Sequence, residues 1–196
     1  MQGLGNEHPS KAEWRTRLTR ARAEISPERR AADAAALAGT AATLARGTVC
    51  AYLPFGTEPG SVALLDALLT AGAKVLLPIV PPVPGPLEWA AYAGEDTLVD
   101  GRFRGVREPS GPRLGPRAVG EAELVLVPAL GVDRRGVRLG RGAGFYDRSL
   151  VFAPDADLLA VVRDDELVEL LPGQEHDVRM RGALTPGRGV VRFTEV

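Results

Sequence analysis

The most chemically suggestive stretch of this sequence is residues 138–147, Arg-Leu-Gly-Arg-Gly-Ala-Gly-Phe-Tyr-Asp. Its three alternating glycines leave backbone amides unshielded, and a helix is predicted to begin directly after them. An anion there would gain hydrogen bonds from the amides and the positive end of the helix dipole. Arg138 and Arg141 add the positive charge that a triphosphate requires, and Asp147 is placed to bind Mg²⁺ on the phosphates. The pattern favours a phosphate-binding site; a glycine turn that only caps a helix is the alternative.

This stretch differs from the two commonest phosphate-binding motifs. A P-loop would carry Lys-Ser or Lys-Thr after its last glycine, whereas Phe145 and Tyr146 follow here. A dinucleotide-binding fingerprint requires G-x-G-x-x-G, and the spacing here is G-x-G-x-G. The glycine pattern therefore favours an anion site without identifying its class.

Three further groups carry residue types that bind ligands. Lys11 and Arg15 are four residues apart, so on a helix both emerge on one side, where they form either a ligand contact or a solvated basic face. Glu58 follows a predicted buried strand and two aromatic residues. A carboxylate there binds the amino-amide edge of a heterocycle, or is a surface residue in a turn. His176 beside Asp177 is a general base or a ligand, or belongs to an exposed polar loop.

The helices that must position the first of these groups have clear start signals. Ser10 and Glu13 have capping-box spacing, so a helix is predicted to begin after Ser10. Its apolar stripe is predicted to consist of Trp14, Leu18, Ala21 and Ile25. Ser26 and Pro27 predict the start of a second helix, which runs through an Ala-rich segment to about residue 46.

Downstream, short apolar runs alternate with helical patterns. A strand at 48–53, a helix at 60–70 and a strand at 75–77 make a βαβ unit, which predicts parallel strands. Further strands are predicted at 87–92, 124–127, 158–162 and, at a sheet edge, 190–193, with a helix at 143–152. Residues 1–9 are predicted to be a disordered lead-in, and 78–86, 100–117 and 171–186 to be mostly loop.

This order of elements predicts a single α/β domain over residues 10–196. Its expected architecture is Rossmann-like: three α/β/α layers around a mostly parallel, mixed sheet. In such sheets ligands bind beyond the carboxyl ends of the strands. The loops at 54–60, 78–86 and 128–143 leave strand ends, and the first and third of them hold the most suggestive residues.

Composition narrows the function classes. A formal net charge of −1 argues against a general nucleic-acid-binding surface, and no apolar run approaches the roughly 20 residues of a membrane span. Cys50 is the single cysteine, and with two histidines it cannot supply a disulfide framework or a Cys/His zinc site. The first ten residues lack the apolar segment of a signal peptide, so we expect a cytoplasmic protein without nucleic-acid or membrane partners.

Taken together, these segments resemble the 5-formyltetrahydrofolate cyclo-ligase family, also called 5,10-methenyltetrahydrofolate synthetases. Residues 138–147 are similar to the family's R-L-G-x-G-x-G-Y-Y-D signature. The supporting similarities, in the family's order, are Lys11 to Arg15 with K-x-x-[LW]-R, residues 52–58 with the strand-end segment that ends in Glu, residues 72–78 with G-K-x-v-x-l-P, residues 105–109 with G-I-x-E-P, and His176-Asp177 with Thr185-Pro186 as H-D…T-P. Phe145, where the family usually has Tyr, and Ala143, where many members have Gly or Lys, depart from the pattern.

The resemblance implies an enzyme that converts 5-formyltetrahydrofolate and ATP to 5,10-methenyltetrahydrofolate, ADP and phosphate with Mg²⁺, through phosphorylation of the formyl oxygen. The residues implied to hold ATP are Lys11, Ala12, Glu13, Trp14, Arg15, Arg138, Leu139, Gly140, Arg141, Gly142, Ala143, Gly144, Phe145 and Tyr146. Those implied to hold the folate are Leu53, Glu58, Arg141, Gly142, Ala143, Gly144 and Phe145. Mg²⁺ would be bound by Asp147 and Asp177, and catalysis would rest on Arg138, Arg141 and Asp147.

Two other functions stay open at this point. Phe145 motivates a relative that holds folate or nucleotide without turnover. The expected fold alone would also suit a sugar-phosphate isomerase or an acyl-CoA transferase, which would act without ATP. Because positioning and charge neutralisation dominate phosphoryl transfer, the cyclo-ligase interpretation requires no covalent nucleophile. We expect the protein to act as a monomer.

Overall fold

The computed structural model describes residues 9–175 and 177–194. The disordered lead-in expected over residues 1–9 lies, apart from Pro9, outside the described residues, and so does His176. Within the described part of the chain, no helix is both long and apolar enough to cross a membrane.

The first two helices begin where their capping residues stand. Helix α1 spans Lys11–Ala23 and has the expected capping box. The Glu13 amide donates to Ser10 Oγ, and the Glu13 carboxylate accepts a hydrogen bond from the Ser10 amide. Helix α2 spans Pro27–Leu44, with Ser26 as its N-cap. Both caps satisfy backbone N–H groups that have no partner within the helix.

One position in the predicted stripe of α1 is wrong. Ala21 is exposed, while the next residue, Arg22, is only 1% exposed. The reason is electrostatic: buried Glu166 accepts hydrogen bonds from the Arg22 guanidinium at 2.6 and 2.8 Å. A guanidinium is tolerated in the interior when a carboxylate compensates its charge there.

The remaining elements alternate along the chain. Two further α-helices occur in the described residues: α3, Val62–Thr70, and α4, Phe145–Ser149. The strands are β1 Thr48–Cys50, β2 Lys74–Ile79, β3 Glu88–Ala91, β4 Leu98–Asp100, β5 Arg107–Pro109, β6 Leu124–Pro128, β7 Gly131–Asp133, β8 Arg138–Leu139, β9 Asp157–Val161, β10 Leu167–Val168, β11 Gly182–Thr185 and β12 Gly189–Arg192. Short 3-10 helices span Glu95–Thr97, Pro116–Glu121, Leu150–Phe152 and Asp164–Glu166.

Seven of these strands form one mixed sheet in the order β12-β11-β9-β6-β1-β2-β3. The five inner strands are parallel, and β3 and β12 run antiparallel at the two edges. β1, α3 and β2 form the expected βαβ unit, in which Val49 pairs with Val75. At the β12 edge, Arg192 donates to Asp157 of β9 at 2.6 and 2.8 Å.

Successive side chains along each strand point to opposite faces of the sheet, and both faces are packed. Leu124 and Leu126 belong to the cluster that includes Leu37 of α2 and Leu65 of α3. Val125, between them, belongs to a second cluster with the 3-10 segments and α4. Helical layers on both faces confirm the predicted three-layer, mostly parallel α/β fold.

Three segments predicted as loops contain strands. β2 continues into 78–86, β5 lies in 100–117 and pairs with β4, and β11 lies in 171–186. A small sheet, β10-β7-β8, flanks the glycine-rich segment. Most of these strands have two to four residues, too few to show a period-two alternation, so their pairing partners define them. The helix predicted at 143–152 is also shorter, because α4 ends at Ser149 and the chain tightens into a 3-10 turn.

Candidate active site

A cavity of about 510 Å³ lies where β1, β2 and β6 end. Residues from the loops at 54–60, 78–86 and 128–143 line it, together with α1 and residues 103–107. Its volume is in the range of small-molecule sites. The parallel strands therefore bring the candidate segments to one place, on the edge where α/β sheets bind ligands.

The glycine-rich segment forms one wall of this cavity. Gly142 has a φ of +102° and Gly144, the N-cap of α4, a φ of +71°, a region that residues with a Cβ rarely adopt. At Gly140, an added Cβ would lie 2.7 Å from Arg138 Nη1. Glycine thus suits the backbone conformation at 142 and 144, and at 140 it leaves room for the Arg138 guanidinium. Because α4 has only five residues, backbone amides rather than a long helix dipole would carry anion binding here.

Four cationic side chains line the cavity beside this loop: Lys11, Arg15, Arg138 and Arg141. Arg15 Nε donates to the Gly140 carbonyl at 2.9 Å, which fastens α1 to the glycine-rich loop. The Arg138 side chain is only 7% exposed, and its Nη1 donates to a carbonyl at the end of β6. Cations fixed around unshielded amides fit the charge and hydrogen-bonding capacity of a polyphosphate.

Three carboxylates neutralise cations of this group. The ion pairs are Arg138–Asp147 at 2.8 Å, Arg141–Glu58 at 3.2 Å and Lys11–Asp177 at 3.3 Å. Each pair joins a cation implied to hold phosphate to a carboxylate implied to hold metal or folate. A ligand entering the cavity must therefore replace these contacts with its own.

The carboxylates suit Mg²⁺ only in combination with a phosphate ligand. Asp147 and Asp177 both line the cavity, and no cluster of three or more His, Cys, Asp or Glu side chains suited to a metal occurs among the described residues. Mg²⁺ at nucleotide sites usually takes one or two carboxylates and completes its shell with phosphate oxygens and water. Two carboxylates beside a phosphate cradle fit that donor set.

The loop after β1 builds one end of the cavity. Glu58 is fixed by two contacts, its Oε2 accepting from the Phe55 amide at 3.0 Å and its Oε1 facing Arg141. Tyr52 Oη donates to the Pro59 carbonyl at 2.6 Å, which ties both ends of this loop together. With Leu53 and Phe55 also on the wall, this end offers apolar surface and one oriented carboxylate.

The phenols of Tyr52 and Tyr146 remain protonated. Burial, reinforced by the negative charge of Glu58, raises the pKa of Tyr52 and the pKa of Tyr146 above the ordinary phenol value. Neither group therefore supplies a base near neutral pH. The Arg138 guanidinium lies over the Tyr146 ring, 5.7 Å from its centroid, so this phenol helps to shape the cationic wall.

Most of the predicted residues line the cavity, including Leu53, Leu139 and residues 140–147, but three of them do not. Ala12 and Glu13 are exposed, and the Glu13 carboxylate is engaged with Ser10. Trp14 packs against a small apolar cluster beneath α1. Glu13, through the capping box, and Trp14, through its packing, help to fix the helix that carries Lys11 and Arg15.

Two parts of the wall were not predicted. Arg22 lines the cavity and stands seven and eleven residues after Arg15 and Lys11, so the same helical spacing that joined that pair could have included it. Phe103 and its neighbours after β4 carry no periodic signal. Their position follows from the β4–β5 pair and from Gly105, where an added Cβ would lie 3.1 Å from the Phe55 ring.

Comparison with known proteins assigns the chain that carries this site to a family. The profile of the 5-formyltetrahydrofolate cyclo-ligase family matches residues 7–186. A 5-formyltetrahydrofolate cyclo-ligase from Mycolicibacterium smegmatis is 50% identical over 189 residues, covering 93% of this chain and 96% of that protein. This chain belongs to the 5-formyltetrahydrofolate cyclo-ligase family. Membership confirms the resemblance drawn from the sequence and the expectation of a ligase of folate metabolism.

Further cyclo-ligases agree in sequence and in fold. The Escherichia coli 5-formyltetrahydrofolate cyclo-ligase is 31% identical, covering 72% of this chain and 79% of its own. The solved 5,10-methenyltetrahydrofolate synthetase of Aquifex aeolicus superposes with a TM-score of 0.73 at 24% identity, covering 95% of this chain and 94% of its own. That of Mycoplasma pneumoniae gives 0.70 at 15% identity, covering 89% and 98%. The two structures support the cyclo-ligase fold.

Proposed function

We propose that this protein converts 5-formyltetrahydrofolate to 5,10-methenyltetrahydrofolate with consumption of ATP to ADP and phosphate, in the presence of Mg²⁺. One observation carries the proposal: the cationic, glycine-rich wall and the Glu58 wall face one cavity. Cyclisation of a formyl amide needs a phosphoryl donor and the folate side by side. Two reactants that are held in contact react faster, because the entropic cost of bringing them together has already been met on binding. Family membership supplies the substrate class.

On the nucleotide side, Lys11, Arg15, Arg138 and residues 139–146 would hold ATP. When bound, ATP would supply the phosphoryl group that makes the formyl oxygen a leaving group. The chain's own contribution is to neutralise and orient: fixed guanidinium and ammonium groups favour charge that develops on the phosphate oxygens. Arg138 is best placed for this, because a carbonyl and Asp147 hold its guanidinium at a nearly buried position.

On the folate side, Leu53 and Glu58 would hold the heterocycle, with Arg141, Gly142, Ala143, Gly144 and Phe145 lining the junction between the two ligands. The Glu58 carboxylate is oriented by the Phe55 amide, so it can accept hydrogen bonds from an amino-amide edge. Arg141 reaches from the glycine-rich loop to Glu58. Folate that binds Glu58 would therefore release the Arg141 guanidinium, which could then bind the phosphates of ATP.

Asp147 and Asp177 would bind Mg²⁺ after exchanging their present partners, Arg138 and Lys11, for the metal. In this exchange the phosphates would take over the cations that the carboxylates leave. Catalysis would then rest on Arg138, Arg141 and Asp147. A cytoplasmic, monomeric enzyme without nucleic-acid or membrane partners completes the proposal, consistent with a formal net charge of −1.

The deciding experiment is a spectrophotometric assay on the purified protein. The methenyl product absorbs in the near ultraviolet, and its formation from 5-formyltetrahydrofolate should require both ATP and Mg²⁺. No product near neutral pH would refute the proposal. Tight binding of 5-formyltetrahydrofolate without product would instead identify a non-catalytic relative, and Phe145→Tyr would then test whether the altered signature position causes the loss.

A further inference from the structure

Four buried charged side chains, one of which lines the cavity, are not used by the proposed chemistry. Arg22, Asp33, Arg163 and Glu166 are each 5% exposed or less. Buried ion pairs add little net stability, because the desolvation of both charges offsets their attraction. Apolar residues of similar volume would hold the fold at least as well, so the directional contacts of these groups point to another role.

Glu166 is the shared acceptor of this buried group. Arg22 donates to it through Nε at 2.6 Å and Nη2 at 2.8 Å, and the Arg163 amide donates to it at 2.8 Å. The Arg163 guanidinium also lies 3.6 Å from Glu166 Oε1. One carboxylate after β9 thus joins Arg22, which lines the cavity, and Arg163, which contacts the loop that carries Glu58.

Arg163 reaches the loop that carries Glu58. Its Nη1 donates to the Thr57 carbonyl at 3.1 Å, while its Nε donates to Asp33 of α2 at 3.0 Å. Thr57 directly precedes Glu58, so the fork of Arg163 fixes the backbone from which the folate-side carboxylate projects. A lysine cannot make both contacts, because its single ammonium lacks the planar fork.

Arg22 lines the cavity together with Lys11 and Arg15 of the same helix. It lies on the face of α1 that carries Arg15 and Lys11, about two and three helical turns earlier. Its Nη2 also donates to the carbonyl of Ala129, directly after β6. The bidentate contact with Glu166 therefore sets the position and rotation of α1 relative to the sheet, and with them the position of the two phosphate-side cations.

We propose that Arg22 and Arg163, joined through Glu166, are positioning residues that set the nucleotide side and the folate side of the site separately. The inference rests on the proposed function, since it assigns Lys11 and Arg15 to ATP and Glu58 to the folate. Arg22 acts through α1, and Arg163 acts through the Thr57 carbonyl. Their shared carboxylate, Glu166, holds both guanidinium groups in place.

The test measures binding of each ligand separately by isothermal titration calorimetry, with a non-hydrolysable ATP analogue plus Mg²⁺ and with 5-formyltetrahydrofolate. Arg163→Lys should raise the Kd of the folate about tenfold and leave that of the analogue within about twofold. Arg22→Lys should do the reverse. Arg29→Met is the matched control: Arg29 contacts Asp33 at 2.9 Å from the solvent side and touches neither wall, so both Kd values should stay unchanged.

Circular dichroism melting checks that each variant folds. If Arg163→Lys does not fold, Asp33→Asn with Arg163→Met removes both charges of that pair together and carries the same expectation. Equal weakening of both ligands in each arginine variant, or the same weakening in Arg29→Met, overturns the positioning role while the proposed function stands. A wild-type protein that binds neither ligand overturns both.

Discussion

Alanine at position 140 would place a methyl group where the Arg138 guanidinium lies. The added Cβ would stand 2.7 Å from Arg138 Nη1, and ordinary contact begins near 3.4 Å, so the guanidinium must retreat by the difference, about 0.7 Å. It is held by the Pro128 carbonyl at 3.2 Å and by Asp147 at 2.8 Å, and both contacts must lengthen or exchange. Because the clash involves the end of a flexible side chain, Gly140→Ala should disturb the site more than the fold.

The size of the effect follows from the displacement. A shift approaching 1 Å in a group that orients a reactant costs up to about 100-fold in rate. We expect Gly140→Ala to lower kcat by about 10- to 100-fold in the near-ultraviolet assay, with a change in Tm below about 2 °C. Gly39→Ala is the matched control, since an added Cβ on this exposed residue of α2 meets nothing within 4 Å. It should keep full activity and gain about 0.5–1 kcal/mol of stability.

A double-mutant cycle with Arg138→Met tests whether the methyl group acts through the guanidinium. If it does, Gly140→Ala should add little to the loss already caused by Arg138→Met, so the two effects on activity will not be additive. Fully additive losses would refute the reasoning. A fall of many degrees in the Tm of Gly140→Ala would also refute it, because the damage would then lie in the fold.

Three further perturbations have distinct outcomes. Glu58→Gln removes a charged acceptor worth about 1.5–3 kcal/mol, so the Kd of the folate should rise about 10- to 100-fold in calorimetry; a rise only for an ATP analogue would reassign Glu58 to the nucleotide. Asp147→Asn should raise the Mg²⁺ concentration for half-maximal activity about tenfold or more, whereas an unchanged Mg²⁺ curve would reduce Asp147 to a partner of Arg138. Burial alone would raise the pKa of Asp157, but the hydrogen bonds and positive charges of Arg192 and Arg46 together outweigh burial and lower the pKa. The ion pairs of Asp157 therefore stabilise the fold fully above about pH 4. This stabilisation is lost as the pH falls through the pKa of Asp157 in the folded protein. Arg192→Met should lower the Tm at pH 7 and shrink its fall between pH 7 and pH 3; an equal fall in both proteins would contradict this.

Features with local causes could be predicted from the sequence. The Ser10–Glu13 capping box fixes the start of α1, and the strand-helix-strand pattern from residue 48 onward fixes the parallel core of the sheet. The spacing of Lys11 and Arg15 on one helical face is equally local, and both line the cavity. Such features depend on residues a few positions apart, so one segment contains the whole signal.

Features that depend on distant partners could not be predicted. Arg22 takes a buried place because Glu166, far along the chain, compensates its charge. The two-residue strand β8 exists only through its pairing with β7. The ion pairs across the cavity, such as Arg141 with Glu58, likewise require the folded topology. The roles of the individual site residues remain predictions for the experiments above.

The contact between Lys11 and Asp177 spans 166 positions of the sequence, and that between Arg15 and Gly140 spans 125. Contacts of such separation form only after most of the intervening chain has been synthesised and its loops closed, which makes them late events in folding. The cationic, glycine-rich wall is therefore incomplete while the chain is still emerging from the ribosome. Under the proposed function, ATP would stabilise the finished molecule by mass action but would not assist its early folding intermediates.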